Sequence, residues 1–505
     1  VLNVGVPSQP RMLTGVASTA TGSTYTLTWE QATTATDRLV VIPDSEVRQP
    51  AAVQLYVDAG LLATNQQVDY LIISHGDLIA SVQPLAAMHA ANGLSVKVVN
   101  VADIYDTFSD GSVSAAAIKD YLAYVYVNYP WPVPTYVLLV GDGNVNLRFY
   151  RPSPSDPLYP YYTPNLIPPY MGGFDAWGGA SISDNAFTLL QGNDLLGEMI
   201  ISRFPVNNAT EAQTVVDKTL NYASTFPADR AHSTLWIADN PDNDLPQYGT
   251  QFHQAADETI AGLSPAFAAE RVYYCQPGLN ACANPPINPW VHTTVPAARA
   301  AIVSGWNRGH LLAYYTGHGS NTVWANEQLF YAGNYLNFTN ATALPFLLIS
   351  SCTNGFFADP YRRAIDEVLL RVDGRGTIGG FTGVTFDTLQ PQTELLKEFV
   401  RAVMDEGITQ TGVAATVARA RIYGVLPYPE NERTSVGHGL SGDPALQLAQ
   451  PDTCVRGDLN CDDHIDIMDV QQVAGVWNTV AWSIGYNPRA DLVRDGRIDV
   501  NDIIA

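Results

Sequence analysis

Two short motifs each place a chemically versatile side chain directly after an apolar run. HLLAYYTGHGS contains His318 in a Gly-His-Gly turn, and LPFLLISSCTNGFF contains Cys352. A cysteine becomes a strong nucleophile when a neighbouring base takes its proton, and acyl transfer also needs N–H donors for the oxyanion. Gly319 has no side chain and would let its N–H approach a substrate carbonyl closely, with the Cys352 N–H as a second donor. This pattern favours nucleophilic catalysis by a Cys-His pair.

The same residues also have a structural interpretation. Free cysteines are often buried and inert, and a histidine is commonly exposed or satisfied within the core. The His-Gly dipeptide recurs at His75 and His438, so it does not by itself single out His318. On these residues alone, catalysis and a purely structural role both stay open.

The elements that must position these motifs alternate between apolar strands and helices. Runs such as DYLIISHG, TYVLLVGD and STLWIAD are continuously apolar, and helical patterns separate them. Such runs are typical of a largely parallel sheet covered on both faces. We therefore predict an α/β fold of two consecutive subdomains, over 67–225 and 226–450, interrupted by a surface loop at 151–180. In parallel neighbours the strand ends lie at one edge, where His318 and Cys352 can meet.

The flanking segments differ from this pattern. Residues 1–66 are rich in Thr, Val and Ser and alternate in polarity, which predicts short β-strands. Residues 452–505 are dense in Asp and predict a small module of their own. With 49 acidic and 26 basic residues, the formal charge of −23 argues against nucleic-acid and anionic-membrane partners. We find no apolar run near the roughly 20 residues needed to cross a bilayer.

The cysteines indicate an oxidising compartment. Cys275 and Cys282 are seven residues apart, as are Cys454 and Cys461, so two local disulfides would leave Cys352 alone. An odd cysteine beside paired ones is a candidate reactive thiol. Sparse cysteines in close pairs favour a secreted, extracellular protein. The N-terminus has neither an initiator Met nor a basic segment, so we expect an export signal to have been removed.

The acidic tail contains two loops spaced like EF-hand calcium loops. Oxygen ligands at positions 1, 3, 5, 7, 9 and 12 are what calcium requires, so calcium is the expected cofactor. Val493 at position 3 of the second loop offers no oxygen, which predicts weaker binding there. The ligands in the first loop are Asp458, Asn460, Asp462, the His464 carbonyl, Asp466 and Asp469, and those in the second are Asp491, Asp495, Asp499 and Asp502.

Residues 69–448 resemble the gingipain family of caspase-like cysteine peptidases. The matching segments follow in family order: DYLIIS, TYVLLVGD, SDN…GND…ISRFPV, VVDKTLNY, YYTGHGSNTVWA, LPFLLISSCTNGFF, GTIGGFTG and GDPALQL. The most specific are YYTGHGS, with Trp324 six residues after the His, and SSCTNGFF. The resemblance implies that His318 is the general base and acid and Cys352 the nucleophile, with the amides of Gly319 and Cys352 as the oxyanion hole.

The resemblance also suggests residues around this pair. Some family members orient the catalytic His with an acid, for which Asp239 and Asp242 are the nearest matches. Trp324 is assigned to substrate binding. Asp387 lies near the acid that selects a basic P1 side chain in Lys-selective members, and a structural role as a loop or helix N-cap residue stays open for it. A tryptophan that closes that pocket is replaced by Leu389, which departs from the basic-specificity pattern.

The tail resembles a type I dockerin, because two loops with Asp at position 12 are joined by a helix-like segment. That resemblance implies a cohesin-like partner or intramolecular docking of the tail. The combined interpretation is a secreted cysteine endopeptidase acting on protein or peptide substrates. Two alternatives remain: a catalytically silent structural or adhesive surface protein on the same scaffold, and a peptidyl transferase that uses the same dyad.

Overall fold

The structure is a computed structural model of the whole chain and divides into two compact units, Val1–Ala59 and Gly60–Ala505. It describes all residues except 7–8, 23, 31, 33, 43–56, 149–161, 175–178, 193, 228–229, 241–250, 264–266, 278–287, 450–456, 460–463, 481–489, 491, 494–496 and 505.

The first unit contains short strands: β1 (Leu2–Asn3), β2 (Arg11–Met12), β3 (Ala17–Thr21), β4 (Thr24–Thr28) and β5 (Leu39–Val40). β1 pairs antiparallel with both β2 and β5, and β3 pairs antiparallel with β4. The alternating Thr-rich segments thus form strands where the sequence predicts them.

The second unit alternates strands with helices. In chain order its elements are β6 (Tyr70–Ser74), α1 (Ile79–Ala91), β7 (Val96–Asn100), α2 (Val101–Phe108), α3 (Ala115–Asn128), β8 (Tyr136–Val140), β9 (Met171–Phe174), β10 (Ala180–Ile182), β11 (Ile200–Phe204), α4 (Ala209–Thr225), β12 (Ser233–Ala238), α5 (Gln251–Ala261), β13 (Ala268–Tyr274), β14 (Val291–His292), α6 (Val295–Arg308), β15 (Leu312–Thr316), β16 (Gly319–Ser320), β17 (Val323–Trp324), β18 (Phe330–Tyr331), β19 (Phe346–Ser350), α7 (Ile365–Arg371), β20 (Gly379–Gly383), α8 (Leu389–Met404), α9 (Thr411–Tyr423), α10 (Glu430–Gly437), β21 (His438–Ser441), α11 (Ile467–Gly475) and α12 (Val500–Ile504).

One 11-stranded sheet runs through this unit in the order β14-β13-β12-β15-β19-β20-β21-β11-β8-β6-β7. Neighbouring strands are parallel except β20 and β21, which are antiparallel. The sheet therefore consists of two parallel blocks that run in opposite directions. We call β7, β6, β8, β11 and β21 the first block, and β14, β13, β12, β15, β19 and β20 the second block. Their strands end at opposite edges of the sheet.

Apolar side chains on both faces hold the central strands in place. Tyr314 of β15 and Leu348 of β19 enter the core on one face, while Tyr315 and Ile349 enter the core on the other. Successive strand residues point to opposite faces, so a continuous apolar run is buried on both. Helices cover each face, and the strand ends are left at the edges.

The fold agrees with the predicted α/β class and differs from the predicted organisation in two respects. The two predicted subdomains share a single sheet, because β21, at the end of the second, pairs with β11 of the first. Within the predicted loop at 151–180, Met171–Phe174 pairs antiparallel with Ala180–Ile182. Burial of the neighbouring Ile167 stabilises this segment against the first block.

The tail forms two short helices, α11 and α12, each of which begins within the last residues of one predicted calcium loop. A small core of Leu459, Val473, Ala490 and Ile498 lies between them. Over the part of the chain that the structure describes, no helix is both long enough and apolar enough to cross a membrane.

Candidate active site

The candidate nucleophile and base follow two adjacent strands of the second block. β15 and β19 are parallel neighbours, and Thr316 lies opposite Ser350 at their ends. His318 and Cys352 come two residues after these paired positions, at the same edge of the sheet. The His318 side chain is exposed and Cys352 is half-buried. The structure therefore places both predicted residues on one surface.

The two turns pack tightly against each other at Gly319. A Cβ atom added there would lie 2.4 Å from Ser351 Oγ and 2.6 Å from Asn354 Oδ1. Both contacts belong to the turn that contains Cys352. Only glycine fits at this distance, so the His318 turn and the Cys352 turn are in direct contact.

Main-chain contacts hold His318 in position. The Tyr315 hydroxyl and the Ala325 N–H both donate to the His318 carbonyl, at 2.6 and 2.8 Å. The His318 N–H donates to Asp239 Oδ2 at 3.1 Å. The Phe252 ring meets the imidazole edge-on, with centroids 5.3 Å apart.

Of the two predicted orienting acids, the structure shows a contact only for Asp239. Its carboxylate is buried and accepts from the main-chain N–H groups of His318 and Asn240. Asp239 thus orients the turn that contains the imidazole. Asp242 lies outside the described residues.

The hairpin after His318 leaves the Gly319 N–H free of its own ladder. Antiparallel pairs alternate between hydrogen-bonded and non-hydrogen-bonded. The Ala325 N–H donates to the His318 carbonyl, which makes the next pair, Gly319 with Trp324, a non-hydrogen-bonded one. The Gly319 N–H therefore points away from β17, as an oxyanion donor must.

The surroundings of Cys352 favour its neutral thiol form. Burial raises the pKa of the Cys352 thiol, the contact with the Asp387 main chain lowers it, and the Asp387 carboxylate raises it again, with a net upward shift. The Sγ atom lies 3.7 Å from the Asp387 carbonyl oxygen. A thiol with a raised pKa needs a base to form the thiolate, and His318 is the exposed imidazole at this edge.

The turn that carries Cys352 adopts an uncommon backbone conformation. Thr353 has a φ of 52°, in the left-handed region that β-branched residues rarely occupy. Hydrogen bonds to the end of β20 hold this conformation, from Thr353 N–H to the Thr385 carbonyl and from Gly355 N–H to the Gly383 carbonyl. Such strain persists only where the surroundings enforce it, and it is concentrated at functional sites.

Asp387 lies beside the nucleophile with its carboxylate engaged by other groups. Oδ2 accepts from the Thr434 hydroxyl at 2.6 Å, Oδ1 accepts from the Thr388 N–H at 2.8 Å, and Arg433 Nε lies 3.8 Å from Oδ1. Burial raises the pKa of Asp387, while these partners lower it. Sequence reasoning located Asp387 and missed Thr434 and Arg433, because both lie on α10, far away in the chain.

Trp324 has a different role from the one predicted. Its side chain has no exposed surface and stacks on Tyr315, with centroids 4.3 Å apart. A fully buried ring cannot contact a substrate, so the predicted substrate-binding role is wrong. Trp324 packs beneath the His318 turn, since Tyr315 also bonds the His318 carbonyl.

The structure describes two of the five cysteines, Cys275 and Cys352. Cys352 is a free thiol and Cys275 is disulfide-bonded. Cys282, Cys454 and Cys461 lie outside the described residues. The two pairings therefore stay predictions.

The structure describes the last residues of both predicted calcium loops. In the first, the Asp469 carboxylate accepts from Leu459 N–H and Asp466 N–H; in the second, the Asp502 carboxylate accepts from Val493 N–H and Asp499 N–H. Among the described residues, no three Asp, Glu, His or Cys side chains lie together as a metal site. The predicted ligands outside the described residues are Asn460, Asp462, Asp491 and Asp495, and those inside are Asp458, His464, Asp466, Asp469, Asp499 and Asp502.

Comparisons with known proteins find a family match over most of the chain. Residues 63–449 match peptidase family C25. Gingipain R2 of Porphyromonas gingivalis is 25% identical over 222 residues, which cover 41% of this chain and 26% of that protein. Gingipain R1 of the same organism is 25% identical over 224 residues, covering 41% of this chain and 19% of that protein. The chain thus aligns with about a quarter or less of these curated relatives.

A solved structure shows the same fold. The Arg-specific cysteine proteinase gingipain R has a TM-score of 0.58 and 20% sequence identity, covering 76% of this chain and 79% of that one. This likeness of fold accompanies the family match, which extends over residues 63–449. The chain belongs to peptidase family C25, the gingipain-like cysteine peptidases.

Proposed function

We propose that this chain is a cysteine endopeptidase that cleaves protein or peptide substrates through His318 and Cys352. The observation that carries the proposal is the direct packing of the Gly319 turn on the Cys352 turn at the carboxyl edge of β15 and β19. That packing brings a base, a thiol and an outward-pointing N–H to one surface. The family membership supports the same assignment.

The geometry supports a two-step reaction. His318 takes the thiol proton as Cys352 Sγ attacks the peptide carbonyl carbon, and the oxyanion forms between the N–H groups of Gly319 and Cys352. The C–N bond then breaks, and the imidazolium gives its proton to the leaving amine. In the second step His318 deprotonates water, which attacks the thioester and releases the acid product with the free thiol.

Asp387 is our proposal for recognition of a basic P1 side chain. It lies against the nucleophile, as its carbonyl contact with Cys352 Sγ shows. Its carboxylate already has Arg433 at 3.8 Å, so an incoming cation must share or displace that guanidinium. Specificity therefore depends on the balance between Arg433 and the substrate.

Labelling of the nucleophile tests the proposed function directly. We expect a peptidyl chloromethyl ketone to modify a single residue, identified as Cys352 by mass spectrometry of the digested protein. Cys352→Ala should take up no label, and His318→Ala should react far more slowly. Modification elsewhere, or a parent protein that neither reacts nor cleaves a protein substrate, would refute the assignment.

We propose that the tail binds calcium and binds it more tightly in the first loop. The closing carboxylates, Asp469 and Asp502, are nearly fully buried and fold back on the start of their loops, as a loop around a cation requires. Val493 supplies no side-chain oxygen to the second loop. In calorimetric titration of the full chain, Asp458→Ala should reduce calcium binding more than Asp491→Ala. The opposite order, or no heat of binding in the parent, contradicts the loop assignment.

We further propose that the tail is a docking module for a cohesin-like partner, with intramolecular docking as the competing result. Ile467, Met468 and Val500 are exposed on α11 and α12, which provides apolar surface for a contact. Removal of residues 452–505 should abolish binding to a cohesin domain in calcium. Binding that survives the deletion would reject this role.

We propose an extracellular location, supported by the disulfide at Cys275. Thiol titration of the unreduced, denatured protein should find one free thiol, in agreement with both predicted pairings. Five free thiols would reject the pairings and weaken the assignment to an oxidising compartment.

A further inference from the structure

Asn354 links the two turns of the candidate site through its side-chain amide. It is fully buried, two residues after Cys352. Its Nδ2 group donates to the carbonyls of Ser320 and Val323, the second at 3.2 Å. Both carbonyls belong to the β16–β17 hairpin, which begins at Gly319. One side chain therefore fastens the hairpin of the oxyanion donor to the turn of the nucleophile.

The other end of the same amide faces Gly319. Its Oδ1 atom is 2.6 Å from the position that a Cβ of Gly319 would occupy. Across the described part of the chain, no group donates a hydrogen bond to this buried oxygen. Since Oδ1 gains no hydrogen bond in this position, the orientation of the Asn354 side chain is set by the two hydrogen bonds that Nδ2 donates.

Gly319 needs such support from outside its own strand. Glycine has no side chain to restrict its backbone, and its N–H takes no part in the hairpin ladder. An oxyanion donor is effective only when its direction is set before the reaction, since reorientation in the transition state costs free energy. The hairpin must therefore be held by neighbouring groups, and Asn354 is in contact with it on both sides of its turn.

We propose that Asn354 is a positioning residue that directs the Gly319 N–H toward the carbonyl oxygen of a substrate at Cys352. This inference rests on the proposed peptidase function. It predicts a loss in stabilisation of the oxyanion without a loss in reactivity of the thiol. A residue that only stabilises the fold would change neither, once the protein is folded.

Two substitutions and a matched control separate these roles. Asn354→Asp keeps the size of the side chain and removes both N–H donors, while Asn354→Ala removes the amide altogether. Asn340 offers the control, because it is also buried and its Nδ2 donates to two main-chain carbonyls, those of Ala343 and Gly376. Asn340→Asp therefore removes the same kind of bond away from both turns.

Three measurements are made on each full-length variant. The first is kcat and KM for a fluorogenic peptide chosen from a substrate library. The second is the rate of Cys352 alkylation by iodoacetamide, which needs the thiolate and no oxyanion donor. The third is inhibition by the matching peptidyl aldehyde, which forms a tetrahedral adduct with the thiol, and by the corresponding alcohol, which does not.

For both Asn354 variants we expect kcat to fall roughly 10- to 100-fold, less than the roughly 10²- to 10³-fold loss seen when an oxyanion donor is removed outright, because the Gly319 N–H is misdirected and still present. KM should stay near the parent value in both variants, and the iodoacetamide rate should stay near it in Asn354→Ala, which adds no charge beside the thiol. The aldehyde should lose affinity by about the same factor as kcat, and the alcohol should lose none. Asn340→Asp should reproduce the parent in all three measurements.

Different results overturn different claims. A parent protein without label or turnover contradicts the proposed function itself. An active parent whose Asn354 variants match Asn340→Asp refutes only the positioning role. Loss of iodoacetamide reactivity in step with kcat in the uncharged Asn354→Ala variant also refutes it, because the defect would then lie in the thiol.

Discussion

The two blocks of the sheet end their strands at opposite edges, and those edges use their polar groups differently. At the first-block edge, Arg203 is buried, makes a bidentate pair with Asp184 at 2.7 Å, and donates to the carbonyls of Gly141 and Ile167. At the second-block edge, His318 is exposed and Cys352 is half-buried. The two edges thus differ in solvent exposure, because the Arg203–Asp184 pair is buried whereas the His318 side chain is open to solvent and to a substrate.

The histidines of the three His-Gly dipeptides also lie in different surroundings. His75, after β6 of the first block, caps a short 3-10 helix by accepting from the Asp77 N–H. His438 is buried in β21, where burial and the nearby Arg419 cation lower its pKa to about 4. Only His318 ends a second-block strand beside the cysteine. Its location, and not the dipeptide, makes it the candidate base.

The largest effect should come from the second-block edge. Cys352→Ala and His318→Ala should each reduce turnover by at least about 10³-fold, because nucleophile and base act as a unit. Neither change should lower the thermal unfolding temperature by more than a few degrees, since neither side chain lies in the core. His75→Ala is the matched control and should keep parental turnover. If it lost as much activity as His318→Ala, the distinction between the two edges would fail.

The first-block edge should respond in stability. Asp184→Ala leaves the Arg203 guanidinium, 2% exposed, without its carboxylate partner. Removing one member of a buried pair typically costs about 3–5 kcal/mol of unfolding free energy. Chemical denaturation should show this loss while the folded fraction retains turnover. Lys397→Ala, in an exposed pair with Glu394, should cost less than about 1 kcal/mol. Equal costs for the two substitutions would contradict the proposed difference.

A pH effect should arise where the two blocks meet. Asp366 is buried between Thr382 of β20 and Ser441 of β21, and burial raises its pKa to about 6 from an ordinary 3.8. A raised carboxyl pKa means that the folded state favours the protonated form, so this contribution to stability is present below about pH 4 and lost as pH rises through 6.

Asp366→Asn should therefore remove this pH dependence and increase the unfolding free energy at pH 8 by roughly 1–3 kcal/mol. Denaturation of parent and variant at pH 4 and pH 8 measures the difference. A variant that is less stable than the parent at pH 8 would show that the charged carboxylate is favoured in the folded protein.

The smallest effect concerns selectivity within the second-block edge. Asp387→Asn should lower kcat/KM for Arg and Lys at P1 by roughly 10- to 100-fold, with little change for uncharged P1 residues. Arg433→Ala should act in the opposite direction, because it frees the Asp387 carboxylate for the substrate. A substrate library measures both variants. If the parent protein shows no preference for Arg or Lys at P1, and Arg433→Ala shows none either, Asp387 is not the residue that determines P1 specificity.

Much of the fold and the centre of the site could be predicted from local pattern. Continuous apolar runs predicted the strands that precede His318 and Cys352, and these are β15 and β19. The order of the strands in the sheet was harder to predict, because β21 pairs with β20 and with β11, and β11 is far from it in the chain. The periodicity of apolar residues indicates which residues are buried, but it does not indicate which strands are neighbours in the sheet. The sequence therefore did not reveal that strands of both predicted subdomains share one sheet.

The sequence by itself determined the α/β class and the order of the elements, and it proposed His318 and Cys352 as base and nucleophile, because burial patterns and turn residues are local properties. Only the tertiary structure decided which of these side chains are buried in the core and which are accessible to a substrate. Trp324 looks like a binding residue in the sequence and proves to be core, while Asn354 looks unremarkable and bridges both turns. Contacts between residues remote in the chain arise from packing in three dimensions, which no single segment encodes.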